Sequence, residues 1–371
     1  MRLIIKDKSF LVGRVTLVKK RIHMKIKVNP YVLQFGREPA QMIPRYAQIM
    51  QVEDAFFSDG VTQQIFMITG IRGSGKTVFM TNIAEKCLTN GWIIVNVNVS
   101  SHISVIEQIV VELVNHKNLK KHLDVKSISL PGFGISLQDN NASSAEYEAR
   151  KLLECAKKNN FKVLITIDEV TNTETIREFS GAFQIWVREK LPVFLLMTGL
   201  YENIKELQNE KSLNFLYRSP RIDLNPLQMI AIKDNYHNNL NVTEEEARMM
   251  ALCTKGYSFA FQALGYVVWN IGSYNEDAKN QYKNILVDLS YDKIWDELSM
   301  NDRKVCVAIA KSKAGNFSEI KEILGWQTNQ LNPYRKRLID KQVIESKGKG
   351  FVSFTLPLFD EYVLDLEEFM A

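Results

Sequence analysis

The sequence is poor in the residues that build disulfide frameworks and metal clusters, and it has no long apolar run. Its four cysteines, Cys87, Cys155, Cys253 and Cys306, lie far apart with no CxxC spacing, which predicts reduced thiols in a cytosolic protein. The five histidines are equally scattered and form no metal-ligand pattern. No stretch approaches the roughly 18 apolar residues of a membrane span, and charges interrupt the apolar N-terminus, unlike a signal peptide. We therefore expect a cytoplasmic globular protein without membrane contact.

Acidic residues are scarce at the N-terminus, and this scarcity explains the net charge of +5. Residues 1–28 hold nine Lys or Arg against one Asp, a balance of +8 that leaves −3 for the rest of the chain. Overall basicity is therefore weak support for nucleic-acid binding. Met24 opens MKIKVNPYVLQFG, which is typical of a natural start. Residues 1–23 are thus either part of the protein or an upstream extension.

From Ile65 the pattern alternates between short apolar runs and amphipathic stretches, which indicates strands joined by helices. Such alternation predicts an α/β fold with a parallel five-stranded sheet. The predicted strands are 65–69, 92–97, 161–170, 192–199 and 220–224. Ser143 with Glu146, and Thr171 with Glu174, have the spacing of capping boxes that open two of the helices. Between them, KSISLPGFGISL (126–137) predicts a β-hairpin insertion.

After Pro226 the pattern is helical to about Leu289, with Thr243 and Glu246 as a further capping signature. A third unit then has a helix from Ser299, a short helix ending at Gly325 and a basic helix around 333–341. Strands at 343–346 and 351–355 follow, which completes the element order of a winged helix. The predicted organisation is a basic extension (1–28), an α/β core (29–225), a helical lid (226–289) and a winged-helix domain (290–371).

A glycine-rich loop between the first strand and its helix carries the clearest chemical signal. The segment 70–77 fits G-x-x-x-x-G-K-[ST] in full, so its backbone N–H groups and the following helix N-terminus are expected to hold phosphates. Lys76 is expected to reach the β- and γ-phosphates, and the Thr77 hydroxyl to bind Mg²⁺. The predicted nucleotide-binding residues are Gly70, Ile71, Arg72, Gly73, Ser74, Gly75, Lys76, Thr77 and Val78.

Two adjacent acids follow the apolar strand 161–167. Asp168, predicted at the end of a strand beside the loop, is expected to hold Mg²⁺ through its waters, and Glu169 to act as the general base for water. Adjacent residues on an extended chain point to opposite sides, which would let the two acids take different roles. The alternative is a pair of solvated acids at a strand end. The pair favours hydrolysis over phosphoryl transfer to a small molecule, which needs no base for water.

Three further residues are catalytic candidates. Thr198 ends the strand PVFLLMTG and is expected to touch the γ-phosphate or the attacking water, unless it is a plain turn residue. Arg218 and Arg221 are each either an arginine finger that stabilises transition-state charge or a surface arginine on a loop.

With these motifs the sequence resembles the AAA+ superfamily of P-loop ATPases. It resembles in particular the branch related to origin-recognition proteins with a C-terminal winged helix, and similar archaeal and bacterial ATP-binding families, over most of residues 30–365. The opening box of these families is similar to FGREPAQMIPR (35–45), with Pro44 in place of the usual Gly, and implies a place for Arg45 in the nucleotide site. Their lid run is similar to TKGYSFAFQALG (254–265), with Ser258 where Pro is common. No arginine occupies the early part of that run, where many members place a sensor arginine.

Local charge suggests a second partner. Residues 302–350 hold eleven Lys or Arg against five Asp or Glu. A recognition helix and a wing would use such cations on the phosphates of double-stranded DNA. The candidate contacts are Arg335, Lys336, Arg337, Lys347 and Lys349. Winged helices also dock on proteins, and the tail from Asp360 to Glu368 is acidic, so both partners stay open.

The sequence therefore predicts an ATPase that uses ATP and Mg²⁺ and whose nucleotide state controls the winged helix. The resemblance implies a DNA transaction or its regulation, with assembly of several copies as a further expectation. The missing lid arginine keeps an alternative open, a slow ATP switch of the STAND kind that acts on a protein partner. A small-molecule kinase is disfavoured because no acceptor-site motif is present.

Overall fold

The computed structural model describes residues 28–34, 39–58, 60, 62–99, 103–123 and 145–370. Several predictions lie outside these residues. They are the basic extension up to residue 27, the hairpin at 126–137, the Ser143 cap and the first four residues of the opening box.

The centre of the molecule is the predicted five-stranded parallel sheet, in the order β2-β3-β4-β1-β5. Its strands are β1 (Ile65–Thr69), β2 (Ile93–Val97), β3 (Val163–Ile167), β4 (Val193–Gly199) and β5 (Arg221–Asp223). Every residue of β1, β3 and β4 is buried, as expected for parallel strands covered on both faces. The two faces feed separate apolar cores, because Ile65 and Met67 pack on one side while Phe66 and Ile68 pack on the other. Because all the strands are parallel, their carboxyl ends lie at one edge of the sheet.

Helices cover both faces of the sheet. Those up to β5 are α1 (Tyr46–Phe57), α2 (Lys76–Thr89), α3 (Val105–Asn115), α4 (Lys117–Lys120), α5 (Ala145–Lys158), α6 (Glu174–Arg188), α7 (Tyr201–Asn209) and α8 (Asn214–Tyr217). The predicted cap of α6 is wrong by two residues. The hydroxyl of Thr173, rather than that of Thr171, accepts the N–H of Ile176. Glu174 is thus the first helical residue and not the third, so it does not complete a capping box.

Four helices follow, which we call the lid helices: α9 (Met229–Asn239), α10 (Glu244–Thr254), α11 (Ser258–Ile271) and α12 (Glu276–Leu286). The predicted capping box of Thr243 and Glu246 opens α10. The segment 28–34 lies against α11. Its Val32 N–H donates to Gln262 Oε1 at 3.0 Å, and the Tyr31 ring lies where a side chain on Gly265 would be, 2.5 Å from that Cβ position.

A π-helical turn (Val287–Tyr291) and α13 (Asp292–Asp296) lead into the last part of the chain. We call residues 287–298 the connector. The C-terminal unit that follows contains α14 (Met300–Lys311), α15 (Phe317–Leu324), α16 (Thr328–Asp340), β6 (Ile344–Ser346), β7 (Val352–Phe354) and α17 (Phe359–Met370). The two strands are antiparallel. Three helices and a hairpin thus occur in the order predicted for a winged helix.

Two details of this unit differ from the sequence-based expectation. Helix α16 begins at Thr328, five residues before the predicted start, with Pro333 inside it, and the N–H of Gln327 donates to Gln330 Oε1 at 2.8 Å at its N-terminus. The acidic tail is also a helix. Phe359, Tyr362 and Val363 are buried at helical spacing, so α17 packs its apolar face on α14 and keeps its acids in solvent. Within the described residues, no helix is long and apolar enough to cross a bilayer.

Candidate functional site

The glycine-rich loop leaves β1 at the edge where the strands end. Gly73 and Gly75 have φ of 75° and 91°, conformations that glycine adopts without strain, so the backbone can curl between strand and helix. A side chain on Gly73 would also meet the hydroxyl of Tyr257 at 2.3 Å, because α11 begins directly against the loop. The loop then enters α2, whose N-terminus supplies unpaired N–H groups and the positive end of a helix dipole.

Lys76 is held inside this loop. Its Nζ donates to the carbonyl oxygens of Gly70 and Ile71 at 2.9 and 3.2 Å, and the residue is 8% exposed. Burial lowers the pKa of Lys76 to about 8, although the charges of Glu169 and Asp168 act in the opposite direction. A cation that is short of compensating charge is well suited to receive an anionic ligand.

Asp168 is the centre of a hydrogen-bond network that joins three elements. Thr77 Oγ1, at the start of α2, donates to Asp168 Oδ2 at 2.7 Å. Thr198 Oγ1, near the end of β4, donates to Asp168 Oδ1. The N–H of Glu169 reaches both Asp168 Oδ1 and Thr198 Oγ1 at 3.1 Å. Both carboxylate oxygens of Asp168 are therefore fixed in direction.

The environments of the two acids differ, but not for the predicted reason. Glu169 has φ of 52°, so the chain turns to the left-handed region there instead of continuing as a strand. The acid side chain of Glu169 is exposed and lines the cleft described below. The strand that carries the acids was also expected to be the neighbour of β1, whereas β4 lies between β1 and β3. Thr198 is consequently placed between the loop and the acids.

Thr198 itself is fully buried, and its hydroxyl is directed at Asp168. Asn203, one turn into α7, is the polar residue from this part of the chain that lines the cleft. Sequence reasoning missed Asn203 because it stopped at the end of the strand. The signal available was the helix that starts at Tyr201 and directs its first turn towards the same edge.

A cleft of about 610 Å³ is lined by the phosphate loop, Lys76, Thr77 and Glu169. One wall is the loop and the start of α2, with Glu169, Thr171 and Asn203 beside it. The opposite wall is apolar and is built by the N-terminal segment and α1, namely Val32, Leu33, Pro39, Met42, Ile43, Pro44 and Ile49. The lid helices and their approach contribute Leu227, Ser258, Phe259, Phe261 and Gln262. This cavity of ligand size thus has a polar end suited to phosphates and an apolar end suited to a nucleobase.

Arg45 lies where these walls meet. Its guanidinium donates to Ser74 O and Ser258 Oγ, both at 3.0 Å, and also to the carbonyl oxygen of Asn225. Burial lowers the pKa of Arg45 to about 10. The arginine from the opening box therefore ties the loop to the first residue of α11. Among the described residues of the lid helices, those that line the cleft carry no positive charge.

The polar groups at the cleft fit a nucleoside triphosphate and a magnesium ion. The Thr77 hydroxyl and the Asp168 carboxylate are adjacent oxygen ligands of the kind Mg²⁺ takes, with waters completing its shell. Within the described residues no group of three or more His, Cys, Asp or Glu is arranged to hold a metal by itself. Ser74 Oγ and Asn82 Oδ1 are buried beside the cleft without a hydrogen-bond partner in the described structure. Polar atoms left unpaired at such a place indicate a ligand that completes them.

The two arginine candidates lie outside this cleft. Arg218 is exposed at the end of α8, next to Tyr217, whose side chain is 72% exposed. Arg221 instead pairs with Asp223 at 3.0 Å and stacks over the Tyr201 ring at 4.8 Å. Its guanidinium is already engaged within the chain, whereas Arg218 faces outwards.

The cations proposed for DNA are also in unequal positions. Arg337 donates to Asp302 at 3.0 and 2.7 Å, and Asp302 is fully buried, so this arginine holds α16 to α14. Arg335 lies over the Phe317 ring. Lys347 pairs with Glu345 at 2.7 Å, while Lys336 and Lys349 are exposed. Charge counting could not separate these cases, because Asp302 is 35 residues away from Arg337.

Similarity to known proteins agrees with this architecture. A family described as Domain of unknown function (DUF8462) matches residues 289–363, the connector and most of the C-terminal unit. The fold is similar to that of the Walker-type ATPase PABY2304 of Pyrococcus abyssi, with a TM-score of 0.62 and 16% identity over 90% of this chain and 99% of that one. It is also similar to the ORC2 protein of Aeropyrum pernix, solved as ADPNP–ADP complexes, with a TM-score of 0.59 and 12% identity over 91% and 96% of the two chains. No curated protein sequence matches.

The chain therefore has the P-loop fold of AAA+ ATPases, with a parallel five-stranded sheet followed by a helical part and a C-terminal unit. The predicted resemblance to the origin-recognition branch is confirmed at the level of the fold.

Proposed function

We propose that this chain is an ATPase that binds MgATP in the 610 Å³ cleft and hydrolyses its terminal phosphate. One observation carries the proposal. The hydroxyl of Thr77 and the carboxylate of Asp168 meet at 2.7 Å, beside a buried Lys76 and an exposed Glu169 that line the same cavity. An AAA+ fold with this edge chemistry is built for phosphoryl transfer from a triphosphate.

Each residue has a role that follows from its position. The N–H groups of residues 70–78 and Lys76 bind the phosphates, and the apolar wall with Arg45 holds the base and the adjacent loop. Thr77 and Asp168 hold Mg²⁺, which neutralises phosphate charge when bound. Thr198 fixes Asp168 and the backbone of Glu169, and the Glu169 carboxylate accepts a proton from the attacking water.

The proposal includes the units and partners expected from the sequence. We assign residues 29–225 to the ATPase core, 226–289 to the lid and 290–371 to a winged-helix domain whose position depends on the nucleotide. Its partner would be double-stranded DNA, contacted through Lys336 and Lys349, and the protein would act in the cytoplasm. Arg218, exposed at the end of α8, would serve a neighbouring copy in an assembly.

A second candidate is a slow switch that holds ATP and acts on a protein partner. It is favoured by the absence of a cation among the cleft-lining residues of the described lid helices. Without such a cation, one source of transition-state stabilisation is missing, and hydrolysis would depend on a neighbour or a partner.

One experiment separates these candidates. ATP hydrolysis is measured for the wild type, Lys76→Ala and Glu169→Gln, with and without duplex DNA and across protein concentration. We expect Lys76→Ala to lose nucleotide binding, and Glu169→Gln to bind but not turn over. Stimulation by DNA supports the DNA-linked ATPase, whereas slow turnover with no DNA binding even at low salt supports the switch. Turnover that survives in Glu169→Gln would exclude that residue as the base.

If Arg218 completes a neighbouring site, Arg218→Ala slows turnover and the wild-type rate per molecule rises with concentration. A rate independent of concentration would argue against assembly.

A further inference from the structure

Arg72 occupies a position with two possible partners. It is a residue of the phosphate-binding loop and its side chain lines the nucleotide cleft. In this structure its Nη2 and Nε donate to Glu297 Oε1 at 2.8 and 3.1 Å. Glu297 belongs to the connector, directly before the C-terminal unit. Burial lowers the pKa of Arg72, but the hydrogen bond and charge of Glu297 outweigh it, and the net pKa is raised.

The same end of the connector is held to the core by further polar contacts. Lys341, at the end of α16, donates to the carbonyl oxygen of Glu297 at 2.9 Å and pairs with Glu202 of α7 at 3.1 Å. The next residue, Gln342, accepts the N–H of Ile71 in the loop at 3.3 Å. The C-terminal unit therefore contacts the phosphate loop itself, through hydrogen bonds that a rearrangement of the loop would break.

A triphosphate would compete with Glu297 for Arg72. A guanidinium binds the oxygens of a phosphate as readily as it binds those of a carboxylate. A triphosphate in the loop would bring several negative charges to the cleft that Arg72 lines. The pair with Glu297 uses the Nε–H and an Nη2–H of the guanidinium, the edge that also forms bidentate contacts with phosphate oxygens. A phosphate that takes this edge displaces the Glu297 carboxylate.

We propose that Glu297 and the nucleotide phosphates compete for Arg72, so that the Arg72–Glu297 ion pair holds the connector on the loop and is released by MgATP. The inference rests on the proposed nucleotide site and names how that site is regulated. By linkage, any pair that must break on binding lowers nucleotide affinity, and the nucleotide in turn loosens the connector. Because the side chains are 36% and 32% exposed, the pair is of moderate strength.

The test compares two adjacent acids. Glu297→Gln removes the charge of the pair and keeps the shape of the side chain. Asp296→Asn is the matched control, because the Asp296 carboxylate is 70% exposed and pairs with Arg303 at 3.7 Å. The dissociation constant for MgATP is measured by fluorescent-nucleotide titration, and amide hydrogen exchange is followed in segments 293–298 and 341–344 with and without MgATP.

We expect Glu297→Gln to bind MgATP about two- to fivefold more tightly than the wild type, the range expected for a partly exposed ion pair. Its nucleotide-free connector should exchange as fast as that of the MgATP-bound wild type. Asp296→Asn should match the wild type in both measurements. Unchanged affinity of Glu297→Gln, or an equal gain in Asp296→Asn, overturns the exchange of partners.

If Glu297→Gln does not fold, Arg72→Met removes the pair from the other side, and its connector should exchange fast both with and without MgATP. A connector that still responds to MgATP in Arg72→Met overturns the inference. The two proposals fail in different ways. A wild type that binds no MgATP removes both, whereas normal binding that is lost in Lys76→Ala, with Glu297→Gln unchanged, removes the ion-pair exchange alone.

Discussion

The hydroxyl of Thr77 and the carboxylate of Asp168 are joined at 2.7 Å although 91 residues separate them in the chain. The contact spans from the first turn of α2 to the end of β3, across the intervening strand β4. Thr198 of β4 fills the gap, binding the other oxygen of the same carboxylate. The candidate catalytic centre is therefore a single network, in which one hydroxyl faces the cleft and another lies behind it.

This network makes Thr198 a testable positioning residue. Thr198→Val keeps the shape of the side chain but leaves Asp168 Oδ1 and the Glu169 N–H without that hydroxyl. We expect turnover or Mg²⁺ affinity to fall about 10- to 100-fold, as for other groups that orient metal ligands, with little change in ATP affinity. Mg²⁺ titrations of the hydrolysis rate measure the effect. Thr198→Ser should restore most of it, and full activity in Thr198→Val would contradict the positioning role.

The pKa of Lys76 predicts a pH dependence of nucleotide binding. Burial holds the pKa of this lysine at about 8 in the free protein, so the side chain becomes neutral above that pH. A bound triphosphate favours the charged form, and binding above pH 8 must therefore include uptake of a proton. We expect affinity to be constant below pH 8 and to fall by up to about tenfold per pH unit above it. Titrations from pH 6.5 to 9.5, with circular dichroism to verify folding, test this.

Calorimetry in buffers of different ionisation enthalpy supplies the control, because proton uptake approaching one per nucleotide should be found near pH 9. Affinity that is flat over the whole range would exclude Lys76 as the titrating group.

Arg337 and Lys336 are adjacent in the helix but differ in what they stabilise. Arg337→Ala strands the buried Asp302 carboxylate, and we expect the free energy of unfolding to fall by about 2 kcal/mol, less than for a fully buried pair because Arg337 is partly exposed. Lys336→Ala should stay within about 0.5 kcal/mol of the wild type. Urea unfolding of both variants measures the difference. Equal stability of the two variants would show that the ion pair contributes nothing.

The exposed cations predict the DNA contacts. If Lys336 and Lys349 neutralise phosphates, each alanine substitution should weaken duplex binding and reduce the slope of log affinity against log salt by about 1. The matched control is Lys311→Ala, because Lys311 pairs with Glu367 at 2.7 Å on the α14–α17 side. This variant should leave the slope unchanged. Fluorescence anisotropy with labelled duplex at several salt concentrations measures the slopes. Identical slopes for all variants would place the DNA elsewhere or exclude it.

Local pattern predicted those parts of the molecule that depend on neighbouring residues. The loop 70–77, the buried strands and the cap at Thr243 are each encoded within about a dozen residues, and the structure has them in place. The acid pair was located for the same reason, because a strand end is visible in the sequence. The geometry of the acid pair was not predicted, because it depends on the order of strands in the sheet. Periodicity does not encode that order, in which β4 lies between β1 and β3.

Pairing between charged side chains limited the rest. The engagement of Arg337 by Asp302, of Arg221 by Asp223 and of Arg72 by Glu297 each removes a cation from the apparent surface charge. A count of charges treats all of these side chains as free. Helix α17 was missed in a related way, because only the acidity of the tail was visible in the sequence and its apolar residues gain meaning only against α14.

The docking of segment 28–34 on α11 has a consequence for synthesis of the chain on the ribosome. The acceptor of the Val32 N–H, Gln262, follows 230 residues later in the chain. The ring of Tyr31 packs against the backbone of Gly265, which also follows late in the chain. At translation rates of about 5–20 residues per second, this segment emerges on the order of 10–50 seconds before its partner. The segment that contributes to the apolar wall of the cleft is thus made long before its partner in α11, so the sheet can fold before the cleft is complete.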